Sequence, residues 1–155
     1  MSNLSVKVNW AGDLKFVGVN AKGHETILDG NIRDGASPVE ILLESLGACS
    51  AVDVVTILEK VRTPATRLEV ALEGDRHTPE PRYLTSVTLR FDVWGNDISP
   101  DKLERAINLS VGKYCSVYHT LRPDMKLQTA YRIHPTDAQP AGDYHPFEVS
   151  RVETA

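Results

Sequence analysis

The chain carries two cysteines and five histidines. A protein thiol can pack as a small inert hydrophobe, ligate a metal, or attack an electrophile as the thiolate. Cys49 lies in the middle of "EILLESLGACSAVDVVTILEK", Glu40 to Lys60, the most apolar run of the sequence. At ~100° per residue of a helix, Cys49, Asp53, Thr56 and Lys60 share one face, while Glu40 and Glu44 fall nearly opposite. That face is either a solvated seam or the wall of a site. Asp53 beside Cys49 favours the protonated thiol, so a thiolate there needs a cation from elsewhere in the fold. Cys115 lies in "KYCSVYHTL", near the start of an expected short helix. Free N–H groups there and Lys113 two residues away favour its thiolate. Cys115 and His119 stand at i, i+4, a spacing open to zinc if Cys49 joins, or to a Cys–His nucleophile and base. His24, His77, His134 and His145 are isolated in turns or the tail and are expected to be solvated. No Gly-rich phosphate loop, serine elbow or paired-carboxylate motif occurs in the sequence.

The elements that must position these thiols are legible from pattern. "VKVNW", "LKFVGVN" and "ETILDG" alternate and are separated by Gly-containing turns, which predicts a three-stranded meander. After the loop "NIRDGAS", Ser37 is an N-cap, Pro38 the first helical residue and Glu40 the partner of a capping box. The helix then runs to about Val61. Its apolar residues surround most of the axis, so it is expected to be buried centrally. "TRLEVALEG" and "YLTSVTLRFDVWG" read as strands. Ser99 caps a second helix reaching about Val111, where Gly112 interrupts it before a third helix over Lys113 to Leu121. "KLQTAYRI", Lys126 to Ile133, is the last expected strand. The order β-β-β-α-β-β-α-α-β, with strands in adjacent runs, indicates an α+β fold with antiparallel sheets. The expected organisation is one domain over residues 1–133 and a Pro-containing C-terminal extension over 134–155. That extension has no apolar period, so it is read as poorly ordered or wrapped on the surface, and its deletion as tolerated.

A length of 155 residues, 41% hydrophobic and 25% charged, suits a globular domain with a core of its own. A formal net charge of −4 without a basic stripe excludes the usual footprint of nucleic-acid binding. Polar residues interrupt the first ten positions, so no signal peptide is read there. Ala48 to Leu58 is too short an apolar run to span a bilayer. The expected compartment is the cytoplasm, where two cysteines do not form a structural staple.

"DGNIRDGASPVEILLESLGACSAVDVVTILEK", followed after a hairpin and a helix by "LSVGKYCSVYHTL", resembles the OsmC/Ohr superfamily, especially its YhfA-like branch. The likeness runs from about Val6 to Ile133. It implies antiparallel sheets wrapped around central helices in an intertwined homodimer, which accounts for a helix apolar on nearly every side. It also implies a thiol-dependent peroxidase that reduces organic hydroperoxides, with Cys49 as the peroxidatic and Cys115 as the resolving cysteine. Small dithiols of the lipoamide type are the implied reductants, and no cofactor or metal is implied. The family's Asn-Pro-Glu motif, whose Glu holds an Arg against the thiolate, reads Ser37-Pro38-Val39 here, with Glu40 one helical step on. Arg33 lies in the preceding loop at a spacing that does not match, so the arginine's role is not carried over. A protein that kept the pocket and binds a small apolar ligand is the alternative function.

Overall fold

Alternating residues at both ends of the sequence form two sheets, and the apolar middle forms the long helix between them in the chain. The structure is a computed structural model that describes residues 3–152. It divides into two units, Met1–Glu44 and Ser45–Ala155.

In the first unit, β1 (Val6–Trp10), β2 (Lys15–Asn20) and β3 (Glu25–Asp29) form an antiparallel meander in that order. The register runs from Val6 opposite Asn20 to Trp10 opposite Phe16, and Lys15 faces Asp29. Asp29 ends β3 buried and organises the following loop. Its carboxylate accepts the backbone N–H groups of Asn31 (2.8 Å), Arg33 (3.1 Å) and Asp34 (3.1 Å). These bonds, that from Asn31 foremost, hold its pKa below the ordinary carboxylate range. Helix α1 (Pro38–Lys60) starts at the expected capping box. Ser37 donates from N and from Oγ to Glu40 Oε2, each at 2.7 Å, and Glu40 N–H returns to Ser37 Oγ at 3.4 Å.

In the second unit the sheet order is β4 (Arg67–Arg76), β5 (Leu84–Trp94), β6 (Lys126–His134), β7 (His145–Phe147). β5 is the centre of the core, with Val87, Leu89, Phe91 and Val93 fully buried. Each such side chain contributes about 1.5–3 kcal/mol of burial. Helix α2 (Pro100–Leu109) follows its Ser99 cap, whose Oγ accepts Lys102 N–H at 3.4 Å, and buries Leu103, Ala106 and Ile107 at helical spacing. A π-turn over Ser110–Tyr114 continues it, and α3 (Ser116–Thr120) follows Cys115. In α1 the buried residues are Leu46, Gly47, Ser50, Val54 and Leu58, a single stripe. Gly47 lies in this stripe because a Cβ there would stand 2.6 Å from Leu72 Cδ1 of β4.

Four expectations change. β5 and β6 pair in parallel, because the helices between them carry the chain back along the sheet as a β-α-β crossover does. Gly112 does not end a helix but sits inside the π-turn, and α3 begins three residues later than expected. Residues beyond 133 belong to the second unit's packing. β7 pairs with β6 at Thr129–Phe147 and Tyr131–His145, and Trp94 Nε1 donates to Ala138 O at 2.7 Å. A truncation there removes a strand, which a sequence without apolar periodicity did not disclose. Finally, α1 has length and apolar content enough to cross a membrane, contrary to the short-run reading. Within one chain its burial is that stripe rather than the whole circumference, with Val52 66% exposed.

Candidate active site

The second unit brings the two sequence-selected thiols together. Cys49, on the middle of α1, is half-buried, and Cys115 is fully buried. Cys115 occupies the N-cap position of α3 with φ −66° and ψ 97°, between the π-turn and that helix. Its N–H donates to Ser110 O at 2.7 Å, the wide i→i−5 closure of the π-turn. That closure swings the residue off the axis of α2 and toward α1. The Cys49 side chain is close enough to act on the Cys115 thiol, and Ser50 Oγ lies 3.6 Å from the Cys115 sulfur.

The electrostatics of Cys115 reverse the expectation of a favoured thiolate. Burial, reinforced by Cys49, pushes its thiol up to about 11, although Tyr118 N–H and Ser50 oppose the shift. Lys113 gives no help, since its ammonium lies over the Tyr114 ring at 5.3 Å. A helix start lowers a thiol pKa where the group keeps some contact with water; at zero exposure desolvation wins. Cys115 therefore holds its proton at neutral pH and can offer it toward the Cys49 sulfur.

Two serines complete the arrangement. Ser110 Oγ donates to Ser50 O (2.9 Å) and approaches Asp53 Oδ2 (3.2 Å), which ties the π-turn to α1 one turn beyond Cys49. Ser50 Oγ donates to Leu46 O at 2.8 Å. The polar seam thus has an inner half, Cys49 and Asp53, against the π-turn. Its outer half, Thr56 and Lys60, is exposed. Sequence reasoning passed over Ser50 and Ser110. Their signal was a hydroxyl set in an otherwise apolar helical stripe, which burial makes costly unless it bonds.

His119 is tied to the backbone of the π-turn. Its Nε2 donates to Gly112 O at 3.0 Å, and no group of three or more His, Cys, Asp or Glu among the described residues could hold a metal ion. His134, expected to be solvated, is buried with Nε2 on Asp92 Oδ1 at 2.7 Å. Its place opposite Trp94 at the end of the parallel ladder turns it into the sheet. Glu40 is committed to the helix cap, and Arg33 lies 3.9 Å from Asp13 within the first unit.

The half-buried thiol of Cys49 on α1 thus stands beside the fully buried thiol of Cys115. The family model described as OsmC-like protein matches residues 29–130, a span that contains both cysteines. The chain belongs to the OsmC-like family. It is 39% identical over 131 residues to protein YhfA of Escherichia coli strain K12, covering 84% of this chain and 98% of that one. Its fold is similar to the crystal structure of a hypothetical protein from Aquifex aeolicus, with TM-score 0.80, 27% identity, and coverage of 88% of this chain and 100% of the other. The organic hydroperoxide resistance protein OhrB of Bacillus subtilis shares the fold at TM-score 0.61 and 13% identity, over 84% of this chain and 98% of that one.

Proposed function

We propose that the protein is a thiol-dependent peroxidase that reduces organic hydroperoxides. The Cys49 thiolate attacks the terminal peroxide oxygen, the O–O bond breaks, and the alkoxide leaves and is protonated to the alcohol. Cys49 is then a sulfenic acid. The Cys115 sulfur attacks that sulfenic sulfur, its proton joins the departing hydroxide as water, and a disulfide remains. A small dithiol returns both sulfurs to thiols and is itself oxidised to its disulfide. The observation that carries this reading is the half-buried, free Cys49 side chain beside the fully buried, free Cys115. The reading includes a cytoplasmic homodimer, in which a second copy covers apolar side chains such as Val52 and Trp10, 66% and 71% exposed in one chain.

Single-turnover thiol loss on mixing the reduced protein with cumene hydroperoxide tests it. Both thiols should disappear with one equivalent of cumyl alcohol formed. Unchanged free thiol after excess hydroperoxide would remove the peroxidase. The second reading rests on an open groove of about 600 Å³ beside α1, walled by Ala48, Ala51, Val52, Val55 and Leu68. An apolar ligand held there makes the protein a carrier. Saturable binding of a fluorescent fatty acid to a protein inert toward hydroperoxide would select it.

A further inference from the structure

Residues 150–152 lie outside the stretch matched by the family model, yet they cross the segment that carries Cys115. Val152 N–H donates to Gly112 O at 2.9 Å, the same carbonyl that accepts His119 Nε2. Ser150 N–H donates to Asn108 Oδ1 at 3.2 Å. Arg151 donates to His119 O at 3.2 Å, and its guanidinium lies over the Tyr118 ring at 4.9 Å. The approach is close enough to require glycine, since a Cβ at Gly112 would stand 2.5 Å from Ser150 O. The crossing therefore holds α2, the π-turn and α3, the elements on both sides of Cys115. Tyr118, under the guanidinium, is also the residue whose N–H reaches the Cys115 thiol.

We propose that Ser150–Val152 is a strap that positions the resolving thiol, with Arg151 as the positioning residue. The proposal rests on the peroxidase reading for its chemistry. To condense, the two neighbouring sulfurs must close to about 2.05 Å. A displacement of about 1 Å in such a pair can cost a hundredfold in rate. The strap holds α3 at the π-turn, so Cys115 stays within that short travel of the Cys49 sulfenic acid. Releasing Arg151 leaves the first oxidation intact and slows the condensation that expels water.

The test follows two phases in the full-length protein. Sulfenic acid at Cys49 is trapped with dimedone, and the Cys49–Cys115 disulfide is read by intact mass after an alkylating quench. Cumene hydroperoxide is one oxidant. Diamide is the other, and takes up the two electrons and two protons lost by the thiol pair. Arg151→Ala is expected to slow disulfide closure at least tenfold with either oxidant; with cumene hydroperoxide, dimedone-trappable sulfenic acid should also accumulate and its formation slow less than twofold. Arg151→Lys, which keeps a donor for His119 O, should recover part of the closure rate. Val152→Pro removes the N–H to Gly112 O and serves as the second variant if Arg151→Ala does not fold. Closure within twofold of wild type in both variants overturns the strap, as does a slowing of both phases together or a wild type that closes with neither oxidant. A wild type that closes with diamide but ignores hydroperoxide removes the peroxidase reading, and the diamide rates then decide the strap alone.

Discussion

The second unit holds two buried polar clusters that differ in how completely they are satisfied. At Asp92 the carboxylate accepts Arg132 Nε (2.7 Å) and Nη2 (3.0 Å), His134 Nε2 (2.7 Å) and Tyr144 Oη (2.6 Å). Arg132 also donates to Gly142 O and lies 4.0 Å from the Tyr144 ring centre. Every contact is short and charge-assisted, and the cluster joins β5, β6 and the C-terminal segment. At Cys49 and Cys115 the contacts are long and few, with a serine 3.6 Å from one sulfur and a second serine shared between a carbonyl and Asp53. A saturated cluster holds a fold together because no atom in it is free to react. Chemistry needs a loosely held group, which is what the thiol pair offers.

The sharpest way to break this contrast is to remove one thiol at a time. Cys49→Ser should abolish hydroperoxide-driven oxidation, whereas Cys115→Ser should allow one oxidation and trap sulfenic acid at Cys49, read as a dimedone adduct by mass spectrometry. If both variants differ from wild type only in urea midpoint, the thiols are core filling and the two clusters are alike. Asp92→Ala should do the reverse. It leaves the half-buried Arg132 and the buried His134 without their carboxylate, at a cost of about 3–5 kcal/mol in urea unfolding. Below the unfolding midpoint its thiol oxidation rate should stay near that of wild type.

Acid titration sharpens the same point. Burial alone raises the Asp92 pKa, but the hydrogen bonds from Arg132, His134 and Tyr144 outweigh it and bring the group to about 2. A folded-state value below the unfolded one of 3.8 means that the stabilisation is fully present above that unfolded value. It is lost as pH falls toward 2. The loss should amount to about 2 kcal/mol, measured by urea unfolding from pH 5 downward. Asp92→Asn should flatten that part of the curve.

The smallest predicted effects compare two glycines. Gly112→Ala meets the backbone oxygen of Ser150, which has little freedom to move, and should cost about 1–3 kcal/mol. Gly47→Ala meets the end of the Leu72 side chain, which can change rotamer. Alanine also gains about 1 kcal/mol of helix propensity, so the net change in thermal midpoint should be close to zero. Equal costs at both sites would show that the close approach of residue 150 to the π-turn is unimportant.

Local chemistry made much of the fold legible. Ser37 and Ser99 mark helix starts because a cap is a contact between residues three apart, and alternation marks β1 through β6 because a pleated strand exposes its period directly. Cys49 and Cys115 were selected together by a family resemblance, whose motif span reaches across both. The tail escaped because β7 is three residues long and because Tyr144 and Phe147 bond to partners outside it, Asp92, Arg132 and Thr129. His134 read as solvated for the same reason.

The order of residues alone discloses where α1 and α2 begin, which residues carry thiols, and that the chain is α+β. Those properties follow from contacts within one turn or one strand. Packing between distant segments was needed to set β5 and β6 parallel, to bring Cys115 beside Cys49, and to raise the pKa of the Cys115 thiol. A cysteine one residue before a helix has a raised or a lowered pKa according to how much water reaches it, and the packing of distant segments sets that. Cys115 is fully buried where α1, the π-turn and α3 meet, so desolvation overrides the helix start that its sequence position advertises.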